Sequence, residues 1–124
     1  MSKKNEAAWR YKAQLDRVID GDTVDAMIDL GFSTHRFIRI RFHGINTPES
    51  RTRDKAEKKR GLAAKARLQE ILDAEDGHFV VQSLGVGKYG RCLGVLFTES
   101  LGETSVQDTL IAEGYGKPYF GGKR

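Results

Sequence analysis

The sequence predicts an α+β, mainly β fold: a five-stranded Greek-key barrel accompanied by two or more helices. Two observations carry that expectation. Alternating apolar and polar residues fill the front of the chain, broken by turn residues, which is the period of a strand with one buried face. Apolar positions three and four apart then occur twice, after residue 54 and after residue 105, which is the period of a helix.

The first run places Tyr11, Ala13, Leu15 and Arg17 on one face and Lys12, Gln14, Asp16 and Val18 on the other. Asp20-Gly21 follows, then Val24, Ala26, Ile28 and Leu30 alternate again. Asp-Gly between alternating runs signals a hairpin, because glycine takes up positive φ at little cost. A second turn at Gly31-Phe32-Ser33 leads into a strand over residues 36–43, with Ile38, Ile40 and Phe42 opposite Arg39, Arg41 and His43. These three strands make a meander.

After Thr47-Pro48-Glu49 comes a basic helix. Thr52 or Asp54 can cap it, and Asp54 followed by Glu57 resembles a capping box. Ala64, Leu68 and Leu72, with Ile71 beside them, form its apolar face, while Gly61 is a poor helix former near its start. His78 to Gln82 reads as a short strand, Gly85 to Gly90 as a loop, and Arg91 to Phe97 as a strand. Ser105 caps a final helix from Val106 to Glu113 that stops at Gly114. The tail from Tyr115 reads as irregular. This order matches a barrel of OB type, although the count of strands alone does not separate it from other small α+β domains; a single domain is expected over residues 1–124 with its core at about 9–120.

The 124 residues suit one compact domain. The single cysteine, Cys92, excludes an internal disulfide framework and a cysteine zinc site, and as the neighbour of Arg91 on a strand it is expected to face the core. No apolar run approaches a membrane span, so no membrane partner is expected. The basic start lacks a secretory apolar stretch, so an intracellular or already trimmed protein is expected, a format that suits a phage or prophage enzyme.

The net charge of +4 leans toward a polyanionic partner. Its distribution says more. Eleven basic residues and only three acids occupy 36–67, whereas five aspartates face Arg17 alone over 16–29. A basic field beside an acidic pocket suits a site that holds phosphates and a cation together.

Four segments stand out as chemistry: Asp20-Gly21-Asp22-Thr23, Arg41, Asn46-Thr47-Pro48-Glu49 and Lys88-Tyr89-Gly90-Arg91. In their order and spacing, from about Tyr11 to Tyr119, they resemble the staphylococcal nuclease-like, or thermonuclease, family. The resemblance implies a Ca²⁺-dependent endonuclease acting on DNA and/or RNA with low sequence specificity. It assigns the metal to Asp22, Asn46 and the Thr47 carbonyl, the attacking water to Glu49, and the scissile phosphate to Arg41 and Arg91. A neighbouring phosphate falls to Lys88 and Tyr89, and base stacking to Tyr119, with Tyr115 second. A monomer is expected.

These residue types suit the chemistry in their own right. Guanidiniums from separate strands can meet the charge that in-line attack builds on a phosphodiester, and they can do so bidentately. Oxygen ligands suit a hard cation. A carboxylate can serve as base or water-orienter, and Pro48 presses Thr47 toward extended geometry. One position departs from the family pattern, since its best-known members carry aspartate where this chain has Asn46. That departure keeps a rival open: a catalytically impaired OB-fold module, derived from a nuclease, that binds nucleic acid. Beside these candidates, Asp20 reads as a turn residue, Arg39 as structural, Asp25 and Asp29 as solvent-side strand residues, and His35 and His43 as packing or surface groups. The basic run Arg51 to Arg67 reads mainly as a solvated helix face that doubles as a surface for tracking a phosphate backbone.

Overall fold

A computed structural model describes residues 9–87 and 90–119. Its strands are β1 (Arg10–Asp20), β2 (Thr23–Gly31), β3 (Thr34–Phe42), β4 (Gly44–Asn46), β5 (His78–Val86), β6 (Cys92–Phe97) and β7 (Lys117–Tyr119). Helix α1 spans Lys55–Asp73 and α2 spans Val106–Ala112. Five strands close into a barrel in the order β1-β2-β3-β6-β5. All neighbours are antiparallel except β3 and β6, whose parallel ladder has three rungs: Ile40 with Cys92, Arg41 with Leu93 and Phe42 with Gly94. The expected α+β barrel with two helices is therefore the observed architecture.

The alternation of β2 and β3 builds the interior. Val24, Ala26, Ile28, Ile38, Ile40 and Phe42 are all buried. Leu30, expected on the same inner face, is 42% exposed near the turn, past the buried part of its strand. In β1 the strict alternation fails. Register shifts between Leu15 and Arg17 and between Val18 and Asp20 bend the strand and bury both Val18 and Ile19.

The β1–β2 turn also differs from expectation. Gly21 is not among the positive-φ glycines. What demands glycine there is contact, since a Cβ would lie 2.7 Å from the Ala64 Cβ and 3.1 Å from the Thr47 side chain. Positive φ occurs instead in the β2–β3 turn, at Gly31 and also at Phe32 and Ser33.

Asp54 caps α1, its carboxylate accepting from the Ala56 and Glu57 amides. The reciprocal half of the expected capping box is replaced. Glu57 accepts from the Glu49 amide at 3.2 Å, while the Asp54 amide donates to Thr52 Oγ1. Ala64, Leu68, Ile71 and Leu72 face the core as their spacing predicts, joined by Gly61. Each fully buried leucine or isoleucine contributes about 1.5–3 kcal/mol. Cys92 is buried, as expected from its place beside Arg91, and burial pushes its thiol pKa up.

Helix α2 begins at Ser105, whose hydroxyl accepts from the Asp108 amide. Its buried Gln107 bridges three backbone groups: Oε1 accepts from Leu96 N, and Nε2 donates to the His43 and Gly94 carbonyls. The tail, expected to be irregular, instead supplies β7, which pairs antiparallel with β4. Among the described residues no helix is long and apolar enough to cross a membrane.

Candidate active site

Segments distant in sequence line one open cavity of about 400 Å³: Asp20, Asp22 and Thr23 from the β1–β2 turn, Arg41 from β3, Thr47, Glu49 and Arg51 from the loop before α1, and Arg91 just before β6. Of the residues singled out from the sequence, Asp22, Arg41, Thr47, Glu49 and Arg91 thus meet in one place.

Asp22 is its buried anchor. Its Oδ1 accepts from Thr23 Oγ1 at 3.0 Å, and its Oδ2 accepts from the Thr47 amide at 3.1 Å. The Arg41 Nη1 lies 3.5 Å from the same Oδ2 and donates to the Phe42 carbonyl at 2.8 Å. The Arg41 guanidinium is therefore held on two sides and only 17% exposed, so little rotamer freedom remains to be lost when an anion arrives. Arg91 is exposed and approaches from the position just before β6.

Three short links position the loop carrying Glu49. Asp20 Oδ1 accepts from both the hydroxyl and the amide of Ser50. Glu57 holds the Glu49 amide from the first turn of α1. Gly61 lets the helix approach so closely that a Cβ there would lie 2.3 Å from the Glu49 carbonyl oxygen. Asp20 is thus more than a turn residue, and Gly61, a poor helix former, is there for proximity. Arg51 precedes α1 and lines the cavity, in contrast to its expected place on a solvated helix face. Its spacing of two from Glu49 was the available signal.

Asp25, expected on the solvent side, is buried on β2 and ion-paired. Arg39 meets it with two hydrogen bonds, at 2.7 and 3.1 Å, and Arg17 adds a third at 3.3 Å. The Arg39 contact, with help from Arg17, holds the Asp25 carboxyl below its ordinary pKa despite burial. The structural reading of Arg39 fits this arrangement.

The donors around the cavity are all hard oxygens, with no histidine or cysteine in its lining. The Thr47 hydroxyl is buried with no hydrogen-bond partner among the described residues. An unsatisfied oxygen on the residue whose amide holds Asp22 fits a hard divalent cation rather than a soft one. Among the described residues no group of three His, Cys, Asp or Glu side chains could hold a metal. Asn46, on β4 opposite Lys117, lines an adjoining cavity that shares Thr47 and Glu49 with the first. Tyr115 lines that second cavity too and packs against the core. Tyr119 lies on β7 opposite Gly44, outside the lining of both cavities. Lys88 and Tyr89 lie outside the described residues.

Comparison with known proteins points the same way. The chain is 31% identical, over 92% of its length, to Endonuclease YhcR of Bacillus subtilis (strain 168), of which it spans 9%. It is 27% identical, over 90% of its length, to Micrococcal nuclease of Shigella flexneri, of which it spans 64%. The family model described as staphylococcal nuclease homologue matches residues 39–123, from the β3 arginines through the Asn46–Glu49 segment to the C-terminal tail. With its five-stranded barrel and with this match over most of its length, the chain belongs to the staphylococcal nuclease family.

Proposed function

We propose that the protein is a divalent-metal-dependent nuclease that hydrolyses phosphodiester bonds of DNA and/or RNA with little sequence specificity, working as a monomer. The observation that carries this reading is the meeting of two guanidiniums, Arg41 and Arg91, with two carboxylates, Asp22 and Glu49, in one open cavity. Its nuclease relatives support the reading.

The roles follow from charge and access. Arg41 from β3 and Arg91 from just before β6 reach the cavity and bind the scissile phosphate, stabilising the charge that grows on its equatorial oxygens. Glu49 is exposed on a loop fixed at both ends, and it orients or deprotonates the attacking water. Asp22, Asn46 and the Thr47 carbonyl would hold Ca²⁺. Bound there, the cation neutralises phosphate charge and helps orient water or phosphate. The basic residues of α1 track the backbone without reading bases, which is why specificity is low. Lys88, Tyr89, Tyr115 and Tyr119 complete the substrate contacts in this proposal.

The test is cleavage of single-stranded DNA, duplex DNA and RNA with Ca²⁺ and with excess EGTA, for the native chain and for Glu49→Gln. Cleavage should need the cation and should fall by about 10²–10⁴ in the variant. Undiminished cutting in chelator would overturn the metal assignment. Binding without any cutting would identify a nucleic-acid binding module instead.

A further inference from the structure

The cross-strand pair Thr23–Arg41, which lines the cavity, is the first rung of a ladder that continues away from it along the outer face of β2 and β3. The next rung on that face is Asp25–Arg39, joined from β1 by Arg17. The one after is Met27–Phe37. The arginine pair shares a single carboxylate, so this rung keeps a net positive charge, and the Arg17 and Arg39 side chains are 65% and 41% exposed. Met27 and Phe37 are 42% and 49% exposed, an apolar pair on a sheet face where solvent-side residues are otherwise polar. The remaining acid on this path, Asp29, turns its Oδ1 to accept from the Gly31 amide in the turn. At the end of the ladder Phe32 is fully exposed at positive φ, a conformation unfavourable for an aromatic residue.

We infer that this face is a binding track for single-stranded nucleic acid leaving the cavity, with Arg39 meeting a backbone phosphate and Phe37, flanked by Met27, stacking on an unpaired base. The inference rests on the nuclease reading of the cavity. Three features favour this occupant over a protein partner. The track is continuous with the cavity, its charge is cationic next to the cavity and apolar beyond, and the bidentate hold of Asp25 keeps the Arg39 guanidinium oriented rather than free to sweep. Phe37 stands four residues from Arg41 along one strand, roughly 13 Å at the usual rise. A short extended stretch of single strand covers that distance, whereas duplex bases, already stacked, offer Phe37 no face. Cationic grooves interleaved with aromatic platforms are the general means of holding single strands without reading sequence.

The test is binding in chelator, where cutting does not interfere, of three probes: a thymidine dinucleotide, an oligothymidylate of roughly 8 nucleotides, and a short duplex. Phe37→Ala should weaken the longer single strand by about tenfold or more and leave the dinucleotide and duplex unchanged. Phe37→Trp should retain the affinity, and its fluorescence should be quenched by the longer strand alone. Phe37 is half exposed and outside the core, so both variants should melt like the native chain. Wild-type affinity of Phe37→Ala for the longer strand, or equal losses on all three probes, would overturn the track while leaving the cavity's function intact. A native chain that binds the longer single strand no better than the dinucleotide would overturn the track as well, whereas the cavity's function is judged separately by Ca²⁺-dependent cleavage.

Discussion

Replacing Gly61 with alanine sets two effects against each other. In a helix interior the change ordinarily stabilises by about 1 kcal/mol. Here the added Cβ would sit 2.3 Å from the Glu49 carbonyl oxygen, 2.5 Å from its carbon and 2.7 Å from the Ser50 nitrogen, where ordinary contact begins near 3.4 Å. All three are backbone atoms and cannot rotate aside. Helix and loop must part by about 1 Å, and such overpacking costs about 1–3 kcal/mol. The contact should win, giving a net loss near 1 kcal/mol and a melting temperature lower by roughly 4 °C. The larger effect should be on turnover, because the displaced segment carries Glu49 and a misplacement of ~1 Å can cost about 10²-fold. Thermal melts and kcat at saturating Ca²⁺ measure both. A raised melting temperature with kcat within about twofold of native would show that the helix accommodates the methyl group and that this contact does not set the position of Glu49.

Arg41→Ala and Arg91→Ala should each lower kcat by about 10²–10³, with much smaller losses in binding an uncleavable oligonucleotide; equal losses in both would reduce these arginines to strand attraction. Asn46→Asp adds a negative charge beside the cation and should lower the Ca²⁺ concentration for half-maximal cleavage, measured by titrating activity against free Ca²⁺; an unchanged or higher requirement would remove Asn46 from the metal site. Asp25→Asn should lose on the order of 1 kcal/mol of stability at neutral pH, since its arginine partners remain partly exposed. Because the folded-state pKa of Asp25 is depressed, that stability is present above the unfolded carboxylate pKa and disappears as pH falls through the folded one. Urea denaturation of both proteins should therefore converge in acid, and a gap independent of pH would exclude the ion pair as its source.

The meander, the apolar face of α1 and the cap of α2 were legible in the sequence because each rests on local periodicity and short-range capping. The gathering of Asp22, Arg41, Thr47, Glu49 and Arg91 was legible only through motif spacing, since nothing local brings Arg91 to Arg41. The pairing of β4 with β7 was not legible. Three-residue strands carry too little pattern to be recognised, and their partners lie some seventy residues apart in sequence. Burial of Asp25 was hidden for a related reason: alternation places it outside the barrel, and only the arginines that neighbouring strands bring alongside cover it. The roles of Gly21 and Gly61 depend on how closely a helix approaches a loop, a distance no one-dimensional pattern encodes.

The three-rung parallel ladder between β3 and β6 has a consequence for how the protein is made. Parallel pairing across fifty intervening residues is slow to form, because the chain must close a long loop before any contact rewards it. The ladder is also braced by Gln107, which reaches His43, Gly94 and Leu96 together and lies still later in the chain. A growing polypeptide can thus assemble the β1–β2–β3 meander, with Asp22 and Arg41, well before Arg91 is delivered to the opposite wall. The cavity is completed only when β6 has paired with β3 and Gln107 of α2 has docked behind that ladder.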